Sequence, residues 1–90
     1  MPRRGGYNNF DDFLEDFDPS QIPMDPVDSS NLAAVGYLPR LHVLQVNFND
    51  GRTYVYWDVP PSIYRALMNA DSHGQYFYYN IRMAYAYEEV

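Results

Sequence analysis

Hydrophobic and polar residues alternate between residues 31 and 57, and this pattern predicts three β-strands, at 31–37, 41–48 and 52–57. In the second segment, successive side chains would point to opposite faces of a sheet. One face would carry Leu44, Val46 and Phe48, and the other Val43, Gln45 and Asn47. Both faces contain apolar residues, so this part of the chain has more apolar surface than one core needs.

Two turns could join the second strand to the third. A two-residue loop would pair Asn47 with Tyr54. A three-residue loop, with Gly51 in the left-handed conformation, would pair Val46 with Tyr54 instead. The residues alone leave both registers open.

The choice of register decides which side chains enter the core, because a shift of one residue exchanges the two faces of a strand. The two-residue loop would bury Val55 and Trp57, whereas the three-residue loop would bury Tyr54 and Tyr56. In either register, apolar or aromatic side chains remain on the outer face of the hairpin. We interpret that surplus as a candidate binding surface.

A helix is predicted after the third strand, because Pro60 and Pro61 suit a first helical turn. Its buried stripe would consist of Ile63, Ala66, Leu67 and Ala70. Residues 72–74 would end this helix, residues 76–82 would form a short helical turn, and residues 83–87 a last strand. The predicted fold class is α+β: a small antiparallel sheet of about four strands with a central β-hairpin, and one main helix and a short second helical turn on one face.

Residues 1–28 differ from the rest and are predicted to form an acidic, aromatic N-terminal arm that ends in a proline-rich tether at 18–28. One face of a helix would carry Phe10, Phe13, Leu14 and Phe17, because they are spaced at i, i+3, i+4 and i+7. A helix of about eight residues is not stable alone in water, so it needs a surface to lie on. Two interpretations stay open: a disordered solubilising tail, or an arm that docks on its own domain or on a partner. We predict a domain at 29–90 and expect no strand from the arm or the tether.

Charge is concentrated in the same arm. The 90-residue chain has a formal net charge of −6. Residues 1–28 contain seven acidic residues against two arginines, a net charge of −5, and the remainder has five acidic residues against four arginines, or −1. The chain contains no lysine, so any binding of phosphate would depend on the few arginines.

The length fits a single domain. The absence of cysteine suits a reducing compartment, and no segment approaches the roughly 20 apolar residues that span a bilayer. We therefore expect a non-secreted, cytoplasmic protein without a membrane partner.

Short motifs follow one another in the order Ser29-Ser30-Asn31, Val35-Gly36-Tyr37, Leu44-x-Val46-x-Phe48-x-x-Gly51, Tyr54-x-Tyr56-x-x-Val59-Pro60, Tyr64, Leu67, Ala70-x-Ser72-x-Gly74, Tyr76-Phe77 and Asn80-Ile81-Arg82. In this order they resemble the KTSC domain. This domain is named after its occurrence at the C-terminus of some lysyl-tRNA synthetases, and it is also found as small stand-alone bacterial and phage proteins. The resemblance implies a bacterial or phage protein, located in the cytoplasm, in a phage-infected cell or in a phage particle. It implies structural roles for the motif residues Gly36, Tyr37, Gly51, Tyr54, Tyr56, Pro60, Gly74, Ile81 and Arg82, and no catalytic residues.

The position between the two tyrosines is usually polar in that family. The resemblance therefore implies that Tyr54 and Tyr56 face inward, and it favours the three-residue loop. This chain departs from the pattern, because Val43, Val55 and Trp57 would then form an apolar outer face without an assigned cover. It also lacks the family's lysines, which argues against the RNA-binding role proposed for the family.

No group of residues in the sequence predicts catalysis. His42 and His73 fit surface or capping positions, and Ser72 is not part of a nucleophile elbow. The chain has no glycine-rich phosphate-binding motif, and the acidic residues at 11–18 lack the spacing of a calcium loop. We therefore predict a protein that is not an enzyme and that uses no cofactor, metal or small-molecule substrate.

Two binding functions remain open. The preferred one is a non-catalytic module that binds a protein partner, or a second copy of itself, through Phe10, Phe13, Leu14, Phe17, Val43, Val55 and Trp57. The alternative is a module that binds RNA or single-stranded nucleic acid, whose bases would stack on tyrosine and arginine. Its candidate residues are Tyr37, Arg40, Arg65, Tyr76, Tyr78, Tyr79 and Arg82. The net charge of −6 disfavours this alternative, because phosphate contacts supply most non-specific affinity.

Overall fold

The computed structural model describes residues 18–90, so the predicted helical arm at 10–17 lies outside the described residues. A 3₁₀ turn at Pro19–Gln21 precedes five strands and two helices. In chain order these are β1 (Asp25–Pro26), β2 (Leu32–Leu38), β3 (Val43–Phe48), β4 (Thr53–Tyr56), α1 (Pro61–Asn69), α2 (His73–Asn80) and β5 (Tyr87–Glu89). The strands form one antiparallel sheet in the order β1-β2-β3-β4-β5. This confirms the predicted α+β class.

The first strand corrects the expectation that residues before 29 contribute no strand. Asp25 pairs with Val35 and Pro26 with Ala34, and the amide of Val27 donates to the carbonyl of Ala33 at 3.1 Å. Proline is compatible with this position because β1 is an edge strand, where a missing N–H breaks no ladder. The sheet therefore has five strands, and part of the tether belongs to it. The domain boundary at residue 29 stays a prediction.

The β3–β4 hairpin has the register of the three-residue loop. Val46 pairs with Tyr54, and Gly51 has φ +95°, a conformation that glycine adopts without strain. The amide of Phe48 donates to the carbonyl of Arg52 at 2.8 Å and closes the loop. The register favoured by the resemblance is thus the one observed.

Two boundaries differ from the sequence prediction for local reasons. The strand β3 begins at Val43 because His42 has φ +57°, which interrupts extended backbone. Ser72 begins α2 rather than ending α1, since its hydroxyl accepts a hydrogen bond from the amide of Gln75 at 3.2 Å. The second helix consequently has eight residues, more than the predicted short turn.

Both helices cover one face of the sheet and enclose the main core. Its buried members are Leu32, Val35, Leu44, Val46, Tyr56, Val59, Leu67, Phe77 and Ile81. In α1 only Leu67 of the predicted stripe is fully buried, and Ile63 packs partly buried against the core. Neither helix of the described residues 18–90 is long and apolar enough to cross a membrane.

The opposite face of the sheet, which we call the outer face, carries a second buried cluster. Val43 and Val55 have no exposed surface and Trp57 is 8% exposed, and Ile22 and Leu41 are buried with them. The outer face, to which the sequence analysis assigned no cover, is therefore buried.

Part of that cover comes from the tether, which crosses the outer face at Gly36. A Cβ atom at Gly36 would lie 2.5 Å from Cγ2 of Ile22 and 2.6 Å from both Sδ of Met24 and the carbonyl oxygen of Pro23. Gly36 thus permits the close approach of the tether to β2.

We predict that Gly36→Ala destabilises the protein by about 1–3 kcal/mol, the usual cost of overpacking. The carbonyl of Pro23 is backbone, so the tether must move to make room. Urea unfolding of the full-length protein measures the effect. Gly74→Ala is the comparison variant and should cost less, because its Cβ would lie 3.2 Å from the side-chain Oγ of Ser29, which has to move by only a few tenths of an ångström. Equal stabilities for wild type and Gly36→Ala would contradict the close approach.

Candidate interaction site

Two adjoining depressions lie between the β3–β4 turn and α2, with volumes of about 370 and 290 Å³. They share Phe48, Asp50, Phe77 and Arg82 as lining residues. We call the pair the Arg82 groove. Because Phe48 and Phe77 belong to the main core or pack against it, the groove lies on the helical side of the sheet.

The larger depression is built by a turn at 29–31 that hydrogen bonds hold in place. Oγ of Ser29 accepts from the amides of Asn31 and Leu32, both at 3.2 Å. Asn49 fastens the hairpin to this turn, since its side-chain amide donates to the carbonyl of Ser29 at 3.0 Å and its backbone amide to that of Asn31 at 2.9 Å. Gly74 has no side chain, so the start of α2 can pack closely on the same turn.

Aromatic rings form the wall of the smaller depression. Phe48 meets Tyr54 edge to face at 5.5 Å and Phe77 at 5.4 Å. Tyr87 of β5 stacks on Tyr54 at 5.5 Å and lies 5.5 Å from the ring of Tyr56. The edge-to-face and stacked arrangements are those that aromatic pairs prefer, so these contacts stabilise the wall.

Arg82 lies at the junction of the two depressions. Its guanidinium carbon is 5.1 Å from the centre of the Tyr78 ring, a cation–π contact. The amides of Ile81 and Arg82 both donate to the carbonyl of Phe77 at 3.0 Å, and Ile81 is fully buried, so the backbone at Arg82 is anchored. Within residues 18–90, an ion pair joins Arg52 to Asp50 at 3.7 Å, and Arg82 is not part of it. The N–H groups of Arg82 can therefore donate to a ligand.

The rim of the groove is apolar and exposed. Tyr78 is 56% exposed, Tyr79 77%, Met83 82% and Tyr87 49%. Tyr79 also contacts Tyr78 edge to face at 5.2 Å. Large apolar side chains with this exposure, gathered beside one groove, are typical of a site that binds a partner.

The structure separates the residues predicted to bind nucleic acid into two groups. Tyr78, Tyr79 and Arg82 come together at the groove. Arg40 follows β2 in the β2–β3 turn, at the opposite end of β3 from the groove. The five residue steps of β3 from Val43 to Phe48 span about 17 Å, so Arg40 lies far from the groove.

Tyr37 belongs to the protein's own packing. Its hydroxyl donates to the carbonyl of Val59, and its ring stacks on Tyr64 at 4.7 Å. Burial raises the pKa of Tyr37 to about 12, while the positive charge of Arg65 opposes the rise. Tyr37 is therefore not an open stacking surface, and Arg65 lies beside it rather than at the groove.

Tyr76 and Tyr85 are also partly buried and pack against the main core. Burial raises the pKa of Tyr85, and the neighbouring Tyr76 adds to the rise. Burial is also the main cause of a raised pKa at Tyr56, and the neighbouring Tyr87 adds to the rise. The phenols of Tyr56 and Tyr85 therefore stay neutral at physiological pH and act as packing groups.

The two histidines do not meet at the groove. Nδ1 of His73 donates to the carbonyl of Leu67 at 2.8 Å, which satisfies a backbone group near the end of α1. This agrees with the predicted capping role. Among residues 18–90 no group of three or more His, Cys, Asp or Glu side chains could hold a metal ion.

Sequence reasoning missed the larger depression, which includes Ser30, Asn31, Phe48 and Phe77, and it missed Met83 at the rim. The first four had a signal, because each belongs to one of the motifs that resemble the KTSC domain. Nothing in the order of those motifs indicates that they meet in one groove.

Comparisons with known proteins agree on one family. The KTSC domain family model matches residues 28–85. A protein of Tsukamurella paurometabola is 42% identical over 53 residues, which cover 59% of this chain and 79% of that protein. A lysine–tRNA ligase of Nostoc sp. is 33% identical over 69 residues, which cover 77% of this chain but 12% of the ligase.

A crystal structure of a KTSC domain protein from Yersinia pestis superposes with a TM-score of 0.73 and 30% sequence identity. The match covers 77% of this chain and 97% of that protein. It confirms both the resemblance to the KTSC domain and the predicted α+β fold class.

Tyr37 yields a prediction for alkaline pH. Its folded pKa of about 12 lies above the ordinary value of 10, so the folded state keeps a proton that the unfolded state releases. This contribution is fully present below pH 10 and is lost as the pH rises from 10 to 12. The free energy of unfolding should therefore fall less steeply over that range in Tyr37→Phe than in wild type. Urea unfolding at pH 8, 10 and 11 measures this, and identical slopes would contradict the burial of Tyr37.

Proposed function

The chain belongs to the KTSC domain family, and on that premise we propose that it is a non-catalytic module that binds a protein partner through the Arg82 groove. The proposal keeps the function preferred from the sequence but moves the contact surface. Val43, Val55 and Trp57 are buried, so they do not offer a free surface for a partner. The exposed aromatic side chains lie at the groove instead.

One observation carries the proposal: Arg82 contacts Tyr78 between two depressions whose rim is aromatic and exposed. Tyrosine, arginine and methionine are enriched at protein interfaces, and tyrosine and arginine are frequent among the residues that dominate binding energy. Each depression has the volume to receive a side chain of a partner, while the guanidinium could bind a carbonyl or carboxylate between them.

The groove offers little for catalysis, and this supports the non-catalytic part of the proposal. Its charged lining residues are Asp50, Arg52 and Arg82. Asp50 and Arg52 pair with each other at 3.7 Å and are well exposed to solvent. The name of the Tsukamurella relative assigns no activity.

A second candidate is the binding of single-stranded nucleic acid at the same surface. It is favoured by the exposed stack of Tyr78 and Arg82, since bases stack on both residue types. The Nostoc relative, a lysine–tRNA ligase by name, matches 77% of this chain. Against it stand the net charge of −6 and the acidic Glu88 and Glu89 on the neighbouring strand β5. We therefore rank it second.

A selection of peptides from a random display library against the full-length protein tests the first function. We expect enriched peptides to bind Arg82→Ala and Tyr78→Ala at least about ten-fold more weakly than wild type, the effect of losing about 1.4 kcal/mol. Arg40→Ala is the matched control, since Arg40 is exposed at the other end of the sheet. Thermal unfolding of each variant checks that the fold is retained.

Enriched peptides that bind Arg82→Ala and Tyr78→Ala as tightly as wild type would contradict the groove as the binding site. Failure to enrich any peptide would count against the protein-binding function as a whole.

We further predict no micromolar binding of a fluorescent 20-nucleotide RNA at about 0.15 M salt, where the Debye length is about 8 Å. The long-range repulsion from the negative chain is the reason. Fluorescence anisotropy measures the affinity. Micromolar binding that weakens steeply with salt and is lost in Tyr78→Ala would instead establish the second candidate.

A further inference from the structure

We infer that β5 is the docking edge for an extended segment of a partner protein, which adds to the sheet as a further strand and carries basic side chains opposite Glu88 and Glu89. The inference rests on the proposed function, the binding of a protein partner at the Arg82 groove. It goes further by naming the form and the charge of the partner segment.

The strand β5 lies at one end of the sheet, and its outer edge is open. Within residues 18–90 no strand lies beyond it. Residues 86–90 are all exposed. The edge of a sheet presents N–H and C=O groups that can pair with another chain, and an extended peptide can bind in this way.

Two backbone hydrogen bonds determine which groups of β5 already have a partner in β4. The amide of Trp57 donates to the carbonyl of Ala86 at 3.1 Å, and the amide of Val90 donates to the carbonyl of Thr53 at 2.9 Å. In an antiparallel pair of strands, hydrogen-bonded residue pairs alternate with pairs that are not hydrogen bonded. Glu88 lies midway between Ala86 and Val90, so its backbone is also bonded to β4.

The intervening residues of β5 belong to the other kind of pair. Tyr87 lies opposite Tyr56, and Glu89 lies opposite Tyr54. The N–H and C=O groups of Tyr87 and Glu89 therefore point away from β4, toward the open side. A partner strand can bond to these groups without breaking any hydrogen bond of the sheet.

The other edge of the described sheet is less suited to strand addition. The strand β1 consists of Asp25 and Pro26. Proline has no N–H to donate, so this edge offers a shorter and incomplete set of groups. Of the two edges, β5 is therefore the one that can accept a strand.

A strand on β5 would reach the Arg82 groove. The ring of Tyr87 stacks on Tyr54 at 5.5 Å, and Tyr87 lines the smaller depression together with Arg82 and Met83. Residues directly opposite each other on neighbouring strands have their side chains on the same face. The partner residue opposite Tyr87 would thus lie at the mouth of this depression, where an aromatic side chain would meet the ring of Tyr87.

The charge of the edge determines the neighbouring partner residues. Successive side chains point to opposite faces, so Glu89 lies on the helical side with Tyr87, and Glu88 lies on the outer side with Val55. Opposite charges directly across two strands are stabilising, and like charges are destabilising. Lysine or arginine is therefore favoured opposite each glutamate.

Two arginines line the smaller depression on the helical side. Arg52 pairs with Asp50 at 3.7 Å, and the guanidinium of Arg82 lies over the ring of Tyr78. Glu88 faces the outer side, away from both. The position opposite Glu88 should therefore select a basic residue most strongly.

The same charges disfavour a second copy of this chain as the partner. Two β5 strands side by side would bring the glutamates of both copies together at Glu88 and Glu89. Like charges across two strands are destabilising, and charged residues on an edge prevent identical edges from pairing. The complementary partner is a segment of another protein with the opposite charge.

Amide hydrogen exchange, followed by NMR on the full-length protein, tests the added strand. The probe is a fluorescein-labelled peptide of sequence Thr-Val-Lys-Arg-Phe-Thr-Val, which in the antiparallel orientation places its basic pair opposite Glu89 and Glu88 and its aromatic residue opposite Tyr87. We expect saturating peptide to slow exchange at the amides of Tyr87 and Glu89. Exchange at both amides that the peptide leaves unchanged, or no binding up to about 1 mM, would overturn the inference.

Fluorescence anisotropy with the same peptide tests the charge. Glu88→Lys/Glu89→Lys should weaken binding about ten-fold or more, since it turns attraction into repulsion. This variant should also bind Thr-Val-Glu-Glu-Phe-Thr-Val more tightly than wild type does, which shows that its fold is retained. Asp25→Lys/Asp28→Lys is the matched control, because it makes the same change of charge at exposed positions near the other edge. Equal affinity of wild type and Glu88→Lys/Glu89→Lys for the basic peptide would contradict the acidic edge.

The two experiments separate this inference from the proposed function. Peptides from the display selection that need Arg82 and Tyr78 but leave exchange at Tyr87 and Glu89 unchanged would keep the groove and overturn strand addition. A probe peptide that slows exchange at Tyr87 and Glu89, yet binds Arg82→Ala and Tyr78→Ala as tightly as wild type, would support strand addition and contradict the groove.

Discussion

The register of the β3–β4 hairpin determines what every other part of the domain has to cover. Gly51, at φ +95°, allows the loop that pairs Val46 with Tyr54. This pairing turns Tyr54 and Tyr56 toward the helices, and it turns Val55 and Trp57 to the outer face. A shift by one residue would exchange the two sets, because side chains alternate along a strand. Both faces of the sheet are apolar as a result, so each needs a covering layer.

On the helical side, the layer ends before the sheet does. Phe77 of α2 meets Phe48 and Tyr56 edge to face and closes the main core there. Tyr54 is on the same face of the strand, two residues nearer the hairpin turn than Tyr56, and it is only partly buried. The Arg82 groove is therefore the space between the end of α2 and the end of the hairpin. Its exposed aromatic rim follows from the same register that forms the core.

The parts of the fold that depend on local pattern could be predicted from the sequence. Alternation located β2, β3 and β4 to within two residues, and Pro60 and Pro61 located the start of α1. The two-residue strand β1 could not be predicted, because its pairing depends on the tertiary position of Val35 rather than on its own sequence. The larger depression of the groove could not be predicted either, since Ser30, Phe48 and Arg82 are far apart along the chain. Exposed Tyr78 and Tyr79 were identified from composition alone, together with Tyr37, whose hydrogen bond to Val59 only the structure reveals.

The covering of the outer face also bears on how a domain of this size is stable. Small domains bury a modest fraction of their chain, about 60% at 60 residues, so a second apolar layer adds a substantial share of the driving force. Ile22 and Met24 already contribute to that layer from outside the segment that the KTSC family model matches. The exposed aromatic side chains at the Arg82 groove lie on the opposite, helical side of the sheet, so the covering of the outer face leaves them accessible.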